Sequence, residues 1–151
     1  MAPIGAKLFF YTLMKKLLYI VILLTNINIH ADNHVIAKTI LLEARGEGDT
    51  GMAAVACVIA QRAKNRGMSP EAVCLQPKQF SCWNGKSPDS FDELLKCPQA
   101  KMALWLEANI YRMNTKKIGD ANHYHADYVK PYWSKGVSPV IKIGRHVFYR
   151  L

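Results

Sequence analysis

Apolar residues repeat at helical spacing shortly after the first 33 positions of the chain. The spacing predicts a helix over residues 34–45, which Asp32 or Asn33 can cap and which Gly46 ends. The apolar members of this predicted helix are Ile36, Ala37, Ile40, Leu41 and Leu42.

Glu43 follows Ile40 by three residues and Ile36 by seven, so the predicted helix places its carboxyl group on the apolar face. Burial disfavours the charged form of a carboxyl group, and a glutamic acid that keeps its proton near neutral pH can act as a general acid. A partly exposed glutamate paired with Arg45 is the simpler interpretation of the same position.

Two further helices are predicted in the middle of the chain. One begins at a Thr50 cap and ends at Gly67, and a short third helix begins with Ser69 as its cap and Pro70 in its first turn. The inward face of the longer helix consists of Met52, Val55, Ala56, Ile59 and Ala63.

The rest of the chain predicts a loop, one more helix and a hairpin. Residues 76–97 have loop composition, and a helix is expected from Pro98 to about residue 114. Residues 140–143 are expected to pair with residues 146–149 across a two-residue turn that begins with glycine. The predicted fold class is therefore α+β, mostly helical with a small antiparallel sheet at the C-terminal end.

The N-terminal segment has the pattern of a signal peptide. Two lysines precede the apolar run 17–24, and a polar stretch then leads to Ala31, a small residue at which cleavage is expected. We therefore predict a signal peptide over residues 1–31 and one exported domain over residues 32–151, periplasmic or secreted and without stable membrane insertion. An uncleaved anchor is the alternative, because apolar residues 8–11 extend the run upstream.

The charge of the chain is basic. The net charge of +9 falls to +6 when the three lysines of the signal segment are removed. A basic exported domain suits a polyanionic partner such as a cell-wall polymer, although a charge of this size is also ordinary for a small soluble domain. No P-loop or dinucleotide fingerprint is found, so we predict no nucleotide cofactor. Nucleic acid is the other polyanion that a basic domain suits, and we predict the cell-wall polymer rather than nucleic acid as the partner.

Four cysteines lie in the predicted exported domain, and an even number in an exported chain predicts two disulfides. The sequence allows three pairings. We favour Cys74 with Cys82, because a short helix and the loop after it can bring them together, and Cys57 with Cys97. A zinc site is the weaker alternative, because no two of these cysteines have the C-x-x-C spacing.

Three segments combine aromatic rings with amide or imidazole groups. A saccharide groove needs both, because rings stack on the apolar faces of sugars while hydroxyl groups need directional partners. Each ring taken singly fits the core better than a groove, but three such segments together favour a groove. The predicted substrate-binding residues are Gln79, Phe80, Trp83, His123, Tyr124, His125 and Trp133.

A metal site was the other interpretation of the histidines. His123 and His125 alternate as on one face of a strand, and His146 can supply a third ligand. Histidines also serve as hydrogen-bonding groups in clefts, so we predict no metal.

Five sequence elements occur in an order that is typical of one family. They are Glu43-Ala44-Arg45-Gly46-Glu47, the Gly51–Ala56 segment with Gln61-Arg62, Gln79-Phe80-Ser81, Asn122-His123-Tyr124-His125 with Pro131-x-Trp133, and Ile143-Gly144-x-His146-x-Phe148-Tyr149. Together they resemble the catalytic domain of the SleB-type cell wall hydrolases, the family of the spore cortex-lytic enzymes, over nearly all of residues 34–149.

The resemblance implies a lysozyme-like fold that acts on the glycan strands of peptidoglycan as a lytic transglycosylase, with Glu43 as the catalytic acid. Compared with the spore enzymes, the chain lacks a separate N-terminal wall-binding domain and carries four cysteines. We therefore expect wall remodelling or phage-type lysis by a monomer rather than spore germination.

Two alternative functions stay open. A hydrolytic muramidase needs a second carboxylate, for which Glu47 or Asp49 is the candidate. A non-catalytic wall-binding module would keep the aromatic groove and the basic surface but would not need an acid like Glu43.

Overall fold

The computed structural model describes residues 33–151, and the predicted signal peptide over residues 1–31 lies outside this part. Within it, no helix combines the length and apolarity that crossing a membrane requires. The helices are α1 (Val35–Ala44), α2 (Gly48–Arg66), α3 (Pro70–Leu75) and α4 (Ala100–Ala108), and the strands are β1 (His123–Ala126), β2 (Ile141–Ile143) and β3 (His146–Tyr149). Short 3₁₀ segments lie at Arg45–Glu47, Ser81–Trp83, Pro88–Lys96, Ile110–Arg112, Thr115–Ile118 and Tyr132–Ser134.

Helix α1 is capped by a residue that is distant in sequence. Its N-cap position is His34, which makes no side-chain cap, so the prediction of an Asp32 or Asn33 cap is wrong. Instead, Oε1 of Glu107 in α4 accepts hydrogen bonds from the first free backbone amides of α1, at 3.2 and 3.3 Å. A carboxylate at this end of a helix also interacts favourably with the helix dipole. The cap therefore joins α1 to α4.

The predicted second and third helices are confirmed. Helix α2 begins at Gly48, two residues before the predicted Thr50 cap, and ends as expected at Gly67 in a left-handed conformation. The hydroxyl of Ser69 caps α3 by accepting a hydrogen bond from the amide of Ala72 at 3.1 Å.

Helix α1 lies at the centre of the main core, in contact with α2, α3 and α4. Even Lys38 is buried, and its ammonium group donates to the Pro88 carbonyl at 3.0 Å and pairs with Asp92. This buried lysine ties the 3₁₀ segment Pro88–Lys96 to the helix. A second, smaller core between α2 and the sheet contains Ala54, Cys57, Val58, Ile118, Ala121 and Phe148.

The three strands form an antiparallel sheet in the order β1-β3-β2. The predicted hairpin is confirmed, since β2 pairs with β3 and Gly144 in the turn has a φ of 56°. Strand β1 pairs with the other edge of β3, which sets Tyr124 opposite Phe148. The α+β class predicted from the sequence is confirmed.

The four cysteines are free thiols, so the two disulfides predicted from their number are absent from the structure. Cys57 packs in the smaller core and Cys97 packs against the main one, which separates the members of one predicted pair. Burial raises the pKa of both Cys74 and Cys82 to about 12.

Candidate active site

A cleft of about 620 Å³ lies between the end of α1, the segment 78–82 and the sheet. Its volume is in the range of ligand-binding pockets. Among the described residues that line it, Glu43 is the one that carries a carboxyl group. A second cavity of about 520 Å³ between α2, α4 and β2 has a mostly apolar lining without an acidic or imidazole side chain. The first cleft is therefore the candidate site for acid–base chemistry.

Glu43 is half-buried in the last turn of α1, and its carboxyl group has a defined partner. The hydroxyl of Tyr124 donates a hydrogen bond to Oε2 of Glu43 at 2.7 Å. Burial, followed by the negative charge of Glu43, raises the pKa of Tyr124 well above its usual value. The phenol therefore stays protonated and acts as a permanent donor to the carboxyl group.

The sheet fixes the position of Tyr124. Its ring centroid lies 4.9 Å from that of His146 and 5.6 Å from that of Phe148, both on β3. Two strands that are distant in sequence from α1 thus hold the hydrogen-bond donor of Glu43.

His146 also lines the cleft and is 8% exposed. Burial lowers the pKa of His146, and the nearby carboxylates Glu47 and Glu43 offset only part of this effect. The imidazole is therefore neutral near pH 7. Among the residues that the structure describes, no group hydrogen-bonds to its buried Nδ1. Because Nδ1 is buried, it does not face the cleft, and His146 contributes its ring to the cleft wall.

Cys82 is a cleft residue that the sequence analysis assigned only to a disulfide. Burial, followed by the charge of Glu43 and a hydrogen bond to it, raises the pKa of the thiol to about 12. It is therefore a neutral group beside the acid. No sequence signal indicates this contact, because 39 positions separate the two residues.

Arg62 organises another wall of the cleft. Its Nε donates to the carbonyl of Asn122 at 2.7 Å, one Nη donates to the carbonyl of Gln79 at 3.3 Å, and the guanidinium lies 5.1 Å from the ring centre of Phe80. Arg66 in turn donates to the side-chain oxygen of Gln79 at 2.8 Å. Gln79, a predicted binding residue, is thereby held at the cleft. Phe80 borders the cleft but is 3% exposed and packs in the main core, which corrects its prediction as a binding residue.

The predicted binding residues of the His-rich segment divide into two groups. His125 lines the cleft, where its Nδ1 donates to the Ala126 carbonyl at 2.9 Å and its Nε2 accepts from the Tyr149 hydroxyl at 3.0 Å. His123 and Trp133 pack against each other, with ring centroids 5.2 Å apart, and are not part of the cleft lining. Within residues 33–151, no three His, Cys, Asp or Glu side chains are arranged to hold a metal ion.

Trp83 belongs to the core. It is 8% exposed, its Nε1 donates to the hydroxyl of Thr39 at 2.9 Å, and its ring packs edge-on against Phe91 at 5.4 Å. The ring has no free face for a sugar, which corrects its prediction as a binding residue. Aromatic character in a loop segment did not distinguish a groove residue from one that covers the core.

Glu47, the predicted candidate for a second carboxylate, is directed toward the hairpin turn. Its Oε2 accepts a hydrogen bond from the backbone amide of Arg145 at 2.7 Å, and it is not among the cleft residues. Asp49 is exposed at the start of α2 and likewise lies outside the lining.

Comparison with known proteins gives one family and two similar structures. A family model described as Cell Wall Hydrolase matches residues 46–149. The catalytic domain of the Bacillus cereus SleB protein is similar with 22% identity and a TM-score of 0.61, over 79% of this chain and 89% of that one. The catalytic domain of SleB from Bacillus anthracis, a germination-specific lytic transglycosylase, is similar with 25% identity and a TM-score of 0.59, over 83% of this chain and 98% of that one. Among curated proteins, none matches the chain.

Proposed function

This chain belongs to the cell wall hydrolase family, and we propose that it cleaves the glycan strands of peptidoglycan as a lytic transglycosylase. The proposal rests mainly on the cleft, in which Glu43 is the one carboxyl-bearing residue of the described lining and Tyr124 holds its Oε2. The similar Bacillus anthracis domain, which is itself a lytic transglycosylase, supports the same reaction class.

A single carboxyl group suffices for this reaction. The acid form of Glu43 gives its proton to the glycosidic oxygen between N-acetylmuramic acid and N-acetylglucosamine as the bond from that oxygen to C1 breaks. The resulting carboxylate then accepts the proton of the muramic 6-hydroxyl, and the oxygen of that hydroxyl forms the new bond to C1. A 1,6-anhydro ring closes, no water is consumed, and Glu43 returns to its acid form.

Tyr124 supports both steps through the same contact. Its hydroxyl donates to Oε2 of Glu43, so Oε1 is the oxygen that gives up the proton and later takes one back. The neutral imidazole of His146 forms part of the cleft wall beside Tyr124. Gln79 and His125 complete the binding surface on the walls of the cleft.

The two alternatives have less support. A hydrolytic muramidase needs a second carboxylate at the scissile bond, and the carboxylate of Glu47 is already bound to the hairpin turn. A binding module would have no use for a buried phenol that holds the carboxyl group of Glu43.

Replacement of Glu43 tests the proposal. Glu43→Gln keeps the shape of the side chain but supplies no transferable proton, so release of fragments from purified peptidoglycan should fall by at least ~10²-fold. Glu71→Gln, an exposed change on α3, is the matched control and should retain activity. Both variants should have the melting temperature of the wild-type protein. Activity of Glu43→Gln within a few-fold of the wild type would overturn the assignment.

The products and the metal requirement distinguish the reaction types. Mass spectrometry should find 1,6-anhydro ends, which are lighter than reducing ends by one water, and EDTA should leave the activity unchanged. Reducing ends together with inactivity of Glu47→Gln would favour the muramidase.

We also propose that the protein acts outside the cytoplasm as a monomer after removal of residues 1–31. The basic charge and the apolar run 17–24 motivate this part of the proposal. N-terminal sequencing of the exported protein should begin at Asp32, and a chain that starts at Met1 would favour the uncleaved anchor instead.

A further inference from the structure

We infer that Glu47 is a positioning residue, which holds the turn before β3 through its backbone and so sets His146 and Tyr124 against Glu43. The inference concerns how the proposed site is assembled and therefore rests on the proposed function. It gives Glu47 a role that differs from that of a second catalytic carboxylate.

The contact joins two parts of the chain that are 98 positions apart. Oε2 of Glu47 accepts the hydrogen bond from the Arg145 amide at 2.7 Å, while Oε1 lies 3.7 Å from Nε of the same residue. The Arg145 side chain is 70% exposed, so this ion pair contributes little, and the bond to the backbone amide carries the interaction. On the other side of the residue, the Asp127 amide donates to the Arg145 carbonyl at 2.7 Å. Arg145 is thus held from both sides.

Two glycines make room for Glu47. A Cβ atom at Gly144 would lie 2.2 Å from Oε2 of Glu47, and a Cβ atom at Gly51 would lie 2.3 Å from Cβ of Glu47. Both distances are too short for a side chain to fit. Gly144 also has a φ of 56°, a conformation that other residues adopt with strain. The Glu47 side chain is 14% exposed in this narrow space, which restricts its rotation and its access to solvent.

The held turn leads directly to the site. His146 follows Arg145 and pairs with Ala126 of β1. Its ring lies 4.9 Å from that of Tyr124, which donates to Glu43. Glu43 and Glu47 lie at the two ends of one five-residue segment. This segment therefore supplies both the proposed acid and the side chain that holds the turn before β3.

Positioning and catalysis make different demands on this side chain. A catalytic carboxylate must carry a negative charge, whereas the Arg145 amide needs only an acceptor oxygen, which an amide side chain also offers. Glu47→Gln should therefore keep kcat within about fivefold of the wild type, because a neutral hydrogen bond replaces a charged one. Glu47→Ala should lose about tenfold to hundredfold in kcat, with a much smaller change in KM.

Arg145→Ala is the matched control. It keeps the backbone amide and removes the exposed ion pair together with the guanidinium contact on the Tyr128 ring, whose centre lies 5.8 Å away. Neither contact reaches Glu43, so kcat should stay within about fivefold of the wild type. The inference is overturned if Glu47→Gln is as inactive as Glu47→Ala, because the charge would then be required. It is equally overturned if Glu47→Ala has wild-type kcat.

An NMR titration tests the contact without relying on activity or on the folding of the alanine variant. In the Glu43→Gln background, the amide proton shift of Arg145 should follow the titration of the Glu47 carboxyl group, and this step should disappear when Glu47→Gln is added. An amide shift that does not titrate would refute the contact. If Glu43→Gln instead remains active, the proposed function fails while the titration result stands, so the two failures are distinguishable.

Discussion

Replacement of Tyr124 by phenylalanine isolates the hydrogen bond that holds the proposed acid. The substitution removes the hydroxyl that lies 2.7 Å from Oε2 of Glu43 and keeps the ring that packs on His146 and Phe148. A hydrogen bond to a charged group is worth about 1.5–3 kcal/mol, and about 1.4 kcal/mol corresponds to a tenfold change in rate. If the whole bond acts through the orientation of the carboxyl group, kcat should fall by about tenfold to hundredfold.

The assay is the initial rate of fragment release from purified peptidoglycan over a range of substrate concentrations, so that kcat and KM are separated. KM should change little, because the hydroxyl is directed at Glu43 rather than at the substrate. Tyr111→Phe, at a ring that is 82% exposed, controls for the substitution itself. An unchanged kcat for Tyr124→Phe, or a loss that appears only in KM, would refute the positioning argument.

Two further predictions concern the core and the cysteines. Trp83→Ala should lower the free energy of unfolding by about 3–5 kcal/mol, measured by thermal or denaturant unfolding, since the ring fills the core. Unchanged stability with weaker retention on insoluble peptidoglycan would return Trp83 to the groove. Labelling of the unfolded, unreduced protein should find four free thiols, and the absence of labelled thiols would instead support the two disulfides expected from the cysteine count.

Local patterns predicted much of the helical part of the fold. The ends of α2 and α3 follow from Gly67 and Ser69, because the left-handed glycine terminator and the hydroxyl cap act on neighbouring backbone groups. The cap of α1 could not be predicted in this way. Its acceptor is Glu107, which reaches the helix only after α4 has packed against it.

The site shows the same division. The sequence singled out Glu43 by its apolar neighbours, and it placed Tyr124 and His125 in a segment suited to a cleft. It could not show that Phe80 and Trp83 lie in the core rather than in a groove, because aromatic residues of a loop segment suit both places. Which face of a loop is covered depends on the element that packs over it.

By itself, the sequence determined the α+β class, the hairpin and the candidate acid, because helix periodicity, turn glycines and local burial act over a few residues. Only the tertiary structure decided the partners of that acid. Tyr124 reaches Glu43 across 81 positions and Arg145 reaches Glu47 across 98, so both contacts exist only after the sheet has docked beside α1. A carboxyl group's role depends on what it touches, and the roles proposed for Glu43 in chemistry and for Glu47 in support rest on those long-range contacts.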